Sequence, residues 1–353
     1  MMGYIKYIVL LGAFLLLGVG VWGEEAKEPF NPQELIFEHL GDEYGWNIAK
    51  WMIPLPVMVW DEAGGFHCFS SARLGGGAVY EGFYMAEEGE YAGKVVAKDA
   101  GGSVYRPWDV SITKNALALM ICGLVLCGLV FPLVRWYKKH PNGAPRRMKG
   151  MLEVVVEMLY KDVICSMLGK DARRYAPYLL TVFFFILVAN LLGLIVVFPG
   201  GANLMGNLSV TMVLALCTFV VVNVGGKKAY WKDIFWSDVP TWLKCPIPMM
   251  PVIELFGIFT KPIALMIRLF ANMLGGHLIT LVLISLIFMF SAMGAAVTGA
   301  TTVVSVVFAI FMELIDILIC FIQAYVFMML STIFISLSRS EEATEEKAVK
   351  TEQ

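Results

Sequence analysis

Between residues 248 and 291 an otherwise apolar stretch carries Glu254, Lys261, Arg268, Asn272 and His277. An arginine at mid-bilayer costs at least about 2.5–3.5 kcal/mol, so it is kept only where it faces protein or water. Glu254, Lys261 and Arg268 recur every seventh residue. On an α-helix that spacing drifts by only about 20° per step, so the three share one face. Asn272 lies one turn beyond Arg268 and joins them, whereas His277 points to another side. Glu254 and His277 are separated by about 34 Å of helix at about 1.5 Å per residue, close to the hydrocarbon thickness of about 30 Å. Arg268 then sits near mid-depth, with a titratable group toward each end on a different face. Two half-paths meeting near a fixed positive charge fit that offset better than one continuous pore. The last apolar run repeats the theme: Glu313 and Asp316 are three apart, and Gln323 follows seven beyond Asp316. A carboxylate there can take up and release a proton. The plainer alternative is a structural ion pair of one carboxylate with Arg268 or Lys261.

These residues need long membrane helices to hold them, and the composition supplies them. The chain has 353 residues, 58% hydrophobic and 16% charged, with a mean hydropathy of +0.72. Soluble domains are about 45–50% apolar and about 25% charged, so a soluble enzyme is excluded. A net charge of −2 leaves no basic footprint for nucleic acid. The apolar stretches 115–134, 176–198, 208–224, 248–291 and 297–337 predict five membrane helices. The last two exceed 40 residues and must bend, at Pro262 or Gly275-Gly276, or lie strongly tilted. Residues 147–168, with Glu153, Glu157 and Lys161 at four-residue spacing, predict an amphipathic helix on the cytoplasmic surface or packed on the bundle. The fold class is thus an all-α polytopic membrane protein with a small exported N-terminal region.

Residues 1–23 have the grammar of a signal peptide: Lys6, an apolar core over 8–21, a small residue at Gly23 and then Glu24-Glu25. Residues 24–108 form an acidic, Gly- and aromatic-rich extension, expected outside the membrane, with short strands near 78–84 and 94–98. The basic loops 135–149 and 225–245 are predicted inside, and 199–207 and 292–296, which carry no Lys or Arg, outside. The C-terminal polar tail, 339–353, then lies in the cytoplasm. Five of the seven cysteines (Cys122, Cys127, Cys165, Cys217, Cys320) stand in apolar runs and read as buried thiols. No metal-ligand spacing is present, and neither a metal nor a cofactor is expected.

The run ThrLysProIleAlaLeuMetIleArgLeuPheAlaAsnMetLeuGlyGlyHis (260–277) resembles subunit a of the F-type ATP synthase. TyrAlaProTyrLeuLeuThrValPhePhePheIleLeuValAlaAsnLeuLeuGlyLeu (175–194), AsnLeuSerValThr (207–211) and IleGlnAlaTyrValPhe (322–327) resemble that family in the same order, over about 109–338. The leader and acidic extension are similar to those of a Bacteroidota-like branch. The resemblance implies that Arg268 is the family's essential arginine, with Asn272 its motif asparagine. It places His277 and Asp316 where members carry Glu or His, Glu254 at an acidic position, Gln323 at a glutamine and Asn190 at a polar site. Ala271 and Ala264 depart from the commoner Gly and Ser, and Glu313 is an additional carboxylate.

The resemblance further implies a proton-channel role in the cell's inner membrane, with no catalytic residue. Its implied partners are a ring of c subunits, peripheral-stalk subunit b and the other ATP synthase subunits, within the lipid bilayer. A cation/proton secondary transporter is the alternative, but it usually shows paired repeats, and the arginine motif occurs once. An intramembrane metalloprotease would need a His-rich ligand cluster, and His277 is the only histidine in a predicted span.

Overall fold

The computed structural model describes residues 42–339 apart from 49–50, 62–64, 87–90, 92, 99–103, 141–142, 144, 146, 196–202, 236–248 and 292–294. The expected leader, the start of the acidic extension and the tail beyond Arg339 lie outside the described residues. Among the described residues the principal helices are α1 (Lys114–Lys139), α2 (Met148–Met158), α3 (Ala172–Leu194), α4 (Leu208–Gly225), α5 (Lys228–Phe235), α6 (Met249–Ser291) and α7 (Ala295–Arg339). Among the described residues, five helical runs are long and apolar enough to cross a membrane: α1, the α2–α3 run, α4, α6 and α7. The protein is thus a multi-pass membrane protein with the five spans the apolar stretches predict.

Helix α3 is the enclosed centre. Leu179, Val182, Phe183, Ile186, Ala189, Asn190 and Gly193 are buried at three- and four-residue intervals, the period of a face turned to protein. Helix α7 lies against it through Cys320, Ala324, Phe327, Met328, Ser331 and Ile335, all nearly inaccessible. Ser331 and Thr332 return their hydroxyls to Phe327 O and Met328 O, each at 2.8 Å, so small polar residues sit in the contact without an orphaned group.

The amphipathic segment resolves in favour of packing on the bundle. Helix α2 continues as a π-helical stretch over Leu159–Cys165 and a final turn, Ser166–Leu168. Leu159, Val163, Ile164 and Leu168 enter the helical core. The wider π repeat aims these side chains inward while Glu157 and Lys161 pair on the exposed side.

Helices α6 and α7 pair antiparallel: Lys261 lies over the Phe334 ring, Asn272 meets Gln323, and Gly276 meets Asp316. Helix α6 is continuous through Pro262 and through Gly275-Gly276. At 43 and 45 residues the two are about 65 Å long at about 1.5 Å per residue, twice the hydrocarbon thickness, which favours the tilted option. Two contacts from the α4 region brace α6. Phe219 stacks on Phe259 with ring centroids 5.6 Å apart. Asn203, in the segment before α4, donates from Nδ2 to Met273 O at 3.3 Å.

A clamp closes one end of the bundle. Arg339 donates from Nε to Asp171 Oδ2 at 2.5 Å, from Nη2 to Asp171 Oδ1 at 3.1 Å, and from Nη1 to Gly225 O at 3.0 Å. It therefore ties the end of α7 to the start of α3 and the end of α4. Both side chains of the pair are less than one-third exposed, so Arg339→Ala is expected to cost about 1–2 kcal/mol. Thermal denaturation of the detergent-solubilised protein reads this as a lower midpoint.

The region before α1 is a β-structured unit, more ordered than two short strands. Its strands are β1 (Gly45–Ile48), β2 (Trp51–Pro54), β3 (Pro56–Asp61), β4 (Gly65–Ser70), β5 (Phe83–Met85), β6 (Val95–Lys98), β7 (Val104–Tyr105) and β8 (Trp108–Asp109). They form antiparallel sheets β1-β2, β4-β3-β8 and β5-β6-β7. Alternation in β3 buries Val57 and Val59, which join Tyr44, Phe69, Leu74, Phe83, Val95 and Ala97 in a separate small core. The Tyr44 hydroxyl donates to Asp109. Burial, then that carboxylate, hold the phenol above its ordinary range, so it stays protonated at any physiological pH. Trp46 instead packs into the helical core. The unit also starts α1: Lys114 N donates to Glu43 O at 3.0 Å, Asn115 N to Asp42 Oδ1 at 3.3 Å, and Ala116 N to the Thr113 hydroxyl at 3.4 Å, satisfying the first free N–H groups of the helix.

The cysteines correct the sequence reading. Cys122 and Cys320 are buried, but Cys127 and Cys217 are exposed and Cys165 is intermediate. An apolar run in a membrane helix has lipid-facing positions as well as protein-facing ones, so its hydrophobicity does not place a thiol inside.

Candidate functional site

The polar residues of α6 and α7 assemble along the seam between the helices and on one flank of it. Arg268 and Asn272 are exposed on α6, four residues apart, and Ile263, Ile267 and Ile279 are exposed on the same helix. The guanidinium thus stands on an otherwise apolar surface. Ion pairs among the described residues join His67–Glu81, Glu157–Lys161 and Asp171–Arg339, not Arg268 or Lys261 with Glu313 or Asp316. The plain reading of a structural pair for Arg268 is therefore not borne out. Lys261 sits 5.6 Å from the Phe334 ring centroid in a cation–π contact, which draws its ammonium to the α7 side of the seam.

Asn272 Nδ2 donates to Gln323 Oε1 at 2.8 Å. Gln323 is 3% exposed, and its Nε2 has no hydrogen-bond partner among the described residues. The bond fixes which way the Gln323 amide faces and keeps a donor free in the seam. Asn272→Leu and Gln323→Leu are each expected to slow proton transport several-fold, and the double variant to be little worse than either single, because the two amides act as one unit. Additive losses in vesicle pumping assays would show independent roles.

One turn beyond Asn272, Gly276 permits the closest approach in the site. A Cβ at this position would lie 2.9 Å from Asp316 Oδ2 and 3.0 Å from Oδ1, so the glycine lets the carboxylate rest on the α6 backbone, and a larger residue would turn it aside. Asp316 is 8% exposed, while Glu313, three residues earlier, is half-buried. His277 follows Gly276 and has its Nε2 buried. The structure therefore brings Asp316 against Gly276 and Asn272 against Gln323 along one seam, with Arg268 at its edge and His277 next to Gly276 on α6. Asn190 is apart from them on α3; it is fully buried, and neither polar atom of its amide is hydrogen-bonded among the described residues. Glu254 is exposed toward the other end of α6. Near it, burial and then the Glu254 charge raise the Tyr230 phenol above its usual range.

Sequence reasoning missed Gly276 as part of the site and treated Gly275-Gly276 only as a possible bend. Its position next to His277 was the available signal. It also missed Asn203, whose contact with Met273 joins segments 70 residues apart.

Comparison with known proteins bears on the family. A family model described as ATP synthase A chain matches residues 116–336, and a model described as a domain of unknown function (DUF8433) matches residues 35–114. The chain is similar to ATP synthase subunit a of Chloroherpeton thalassium, 39% identical over 238 residues, covering 67% of this chain and 68% of that one. It is similar to the Myxococcus xanthus protein of that name, 40% identical over 238 residues, covering 65% and 73%. ATP synthase subunit a 2 of Prosthecochloris aestuarii is 38% identical over 264 residues, covering 72% and 78%. The matched region takes in every helix of the seam, and on that ground the chain belongs to the ATP synthase subunit a family.

Proposed function

We propose that this protein is the stationary half of the proton path in an F-type ATP synthase, and that Arg268 divides that path in two. The observation that carries the reading is an arginine exposed on an apolar helix face, unpaired by Glu313 or Asp316. A charge so placed calls for a carboxylate brought by a partner, and a ring of c subunits, each with one membrane carboxyl, supplies it. A protonated carboxyl can face lipid, but a carboxylate cannot. Arg268 stays charged at every working pH, so its role is electrostatic and not that of a proton relay. It favours the ionised form of an arriving ring carboxyl, drives its proton into one half-path and repels a proton that would cross directly.

Asp316 and His277, with Glu313 beside them, take the proton between the outer face and the ring. Asn272 and Gln323 orient that path. Asn190, a buried amide without a hydrogen-bond partner among the described residues, bonds to the water such a path carries. Glu254 serves the opposite half-path. The basic loops place the C-terminus in the cytoplasm and residues 24–108 outside the inner membrane, after export by the leader. Peripheral-stalk subunit b holds the protein against rotation. A proton crossing 100 mV supplies about 2.3 kcal/mol, so several must pass per ATP, which suits a turning ring.

ATP-driven acidification of inverted membrane vesicles tests the reading, with wild type and Arg268→Ala compared at matched assembly. Loss of acidification with the complex intact is expected. Unchanged acidification would make the arginine structural and return a secondary transporter to consideration.

A further inference from the structure

The β4-β3-β8 sheet has two apolar faces, and only one is covered. Val57, Val59 and Phe69 point into the small core. On the other face Trp60 pairs in register with Phe66 on β4 and with Trp108 on β8. The three rings are 55%, 58% and 73% exposed, although large aromatics are usually mostly buried. Met58 and Cys68 are register partners on the same face, and Cys68 is exposed. Val110, whose N–H donates to Met58 O at 2.9 Å, is 67% exposed and extends the strip.

This strip leads directly into the membrane. Residues 110–113 alone separate β8 from α1, a reach of at most about 14 Å. The hydrogen bonds of Glu43 and Asp42 to Lys114 and Asn115 hold the β-structured unit at that helix end. Beyond it, Leu119, Met120 and Leu124 are exposed on α1, a helix that crosses the bilayer. Exposed apolar residues therefore stand on both sides of the junction, Trp60, Trp108 and Val110 on the sheet and Leu119, Met120 and Leu124 on α1. Tryptophan is favoured at the headgroup level, where its ring is half in apolar and half in polar surroundings.

We propose that the Phe66–Trp60–Trp108 face rests in the headgroup layer of the bilayer beside α1, and makes the β-structured unit a membrane-anchored foot. The unit is acidic, so the attraction is apolar and does not depend on anionic lipid. This site is separate from the proton path, and its test does not depend on the role of Arg268.

Cys68 is the native probe. In the assembled ATP synthase, reconstituted into phosphatidylcholine bilayers with the other cysteines replaced by serine, a nitroxide on Cys68 reports depth through collisions with oxygen and with a water-soluble nickel chelate. A nitroxide at Lys98→Cys on β6 gives the aqueous reference. Oxygen collisions well above nickel collisions at Cys68, reversed by Trp60→Ser with Trp108→Ser, are expected. Collision ratios equal to those of the aqueous reference would overturn the proposal. So would shielding from both agents, which would place a partner subunit on the sheet. Because the first reading needs neither tryptophan replaced, a misfolded double variant does not rescue a failed result.

Discussion

Vesicles carrying Arg268→Ala are expected to assemble an ATP synthase that no longer acidifies the lumen when ATP is supplied. A unit positive charge about 4 Å from a carboxylate favours its ionisation by about 4 kcal/mol at an effective dielectric constant of about 20. That is about three powers of ten in the proton equilibrium at the ring. Without it, an arriving carboxyl keeps its proton, and the direct leak between half-paths loses its barrier. Arg268→Lys is expected to recover little. The charge survives, but a flexible ammonium replaces a planar fork with five donors, on a surface where nothing else of like polarity orients it. Proton pumping and passive proton leak, measured side by side, separate the two effects. Arg268→Ala should lower the first to background and leave the second unchanged or raised.

The second large effect is expected at Gly276. A methyl group there would lie within 3.0 Å of both Asp316 oxygens, so Gly276→Ala must turn the carboxylate, the free end of its side chain, away from the α6 backbone. The turn costs little stability, but a carboxylate moved off its path should lower proton flux by about 10–100-fold. Asp316→Asn should do the same, and Glu313→Gln, at a half-buried position, should do less. Passive proton conduction through the membrane sector, freed of its catalytic head, measures all three on one scale. Normal flux in Gly276→Ala would separate Asp316 from the proton path.

The helices were legible because lipid is a uniform solvent. A run of about 20 apolar residues has few other destinies, and charges within it are conspicuous, as Arg268 and His277 were. What lipid conceals is direction. Cys127 and Cys217 stand in runs as apolar as that of Cys122 and yet face outward. The Asn272–Gln323 bond was foreshadowed by amide chemistry on two helices, but their meeting depends on the register of α6 against α7, which no local pattern encodes. The Arg339–Asp171 clamp joins residues 168 apart, and Arg339 read as the head of a polar tail. The π-helical stretch of α2 was hidden because its apolar residues fit an ordinary helical period nearly as well. Among the β strands, β7 and β8 have only two residues each, too few for alternation to show.

The bracing of α6 has a mechanical consequence. A turning rotor drags sideways on whatever it touches, and here the load falls at Arg268. The Phe219–Phe259 stack supports α6 nine residues before that point, and the Asn203–Met273 bond supports it five residues after. The helix therefore carries the load as a beam between two rests, which bends far less than a cantilever of equal length. Beyond Met273 the helix is held again where Gly276 meets Asp316, so the point where torque is borne lies inside a supported span and not at a free end.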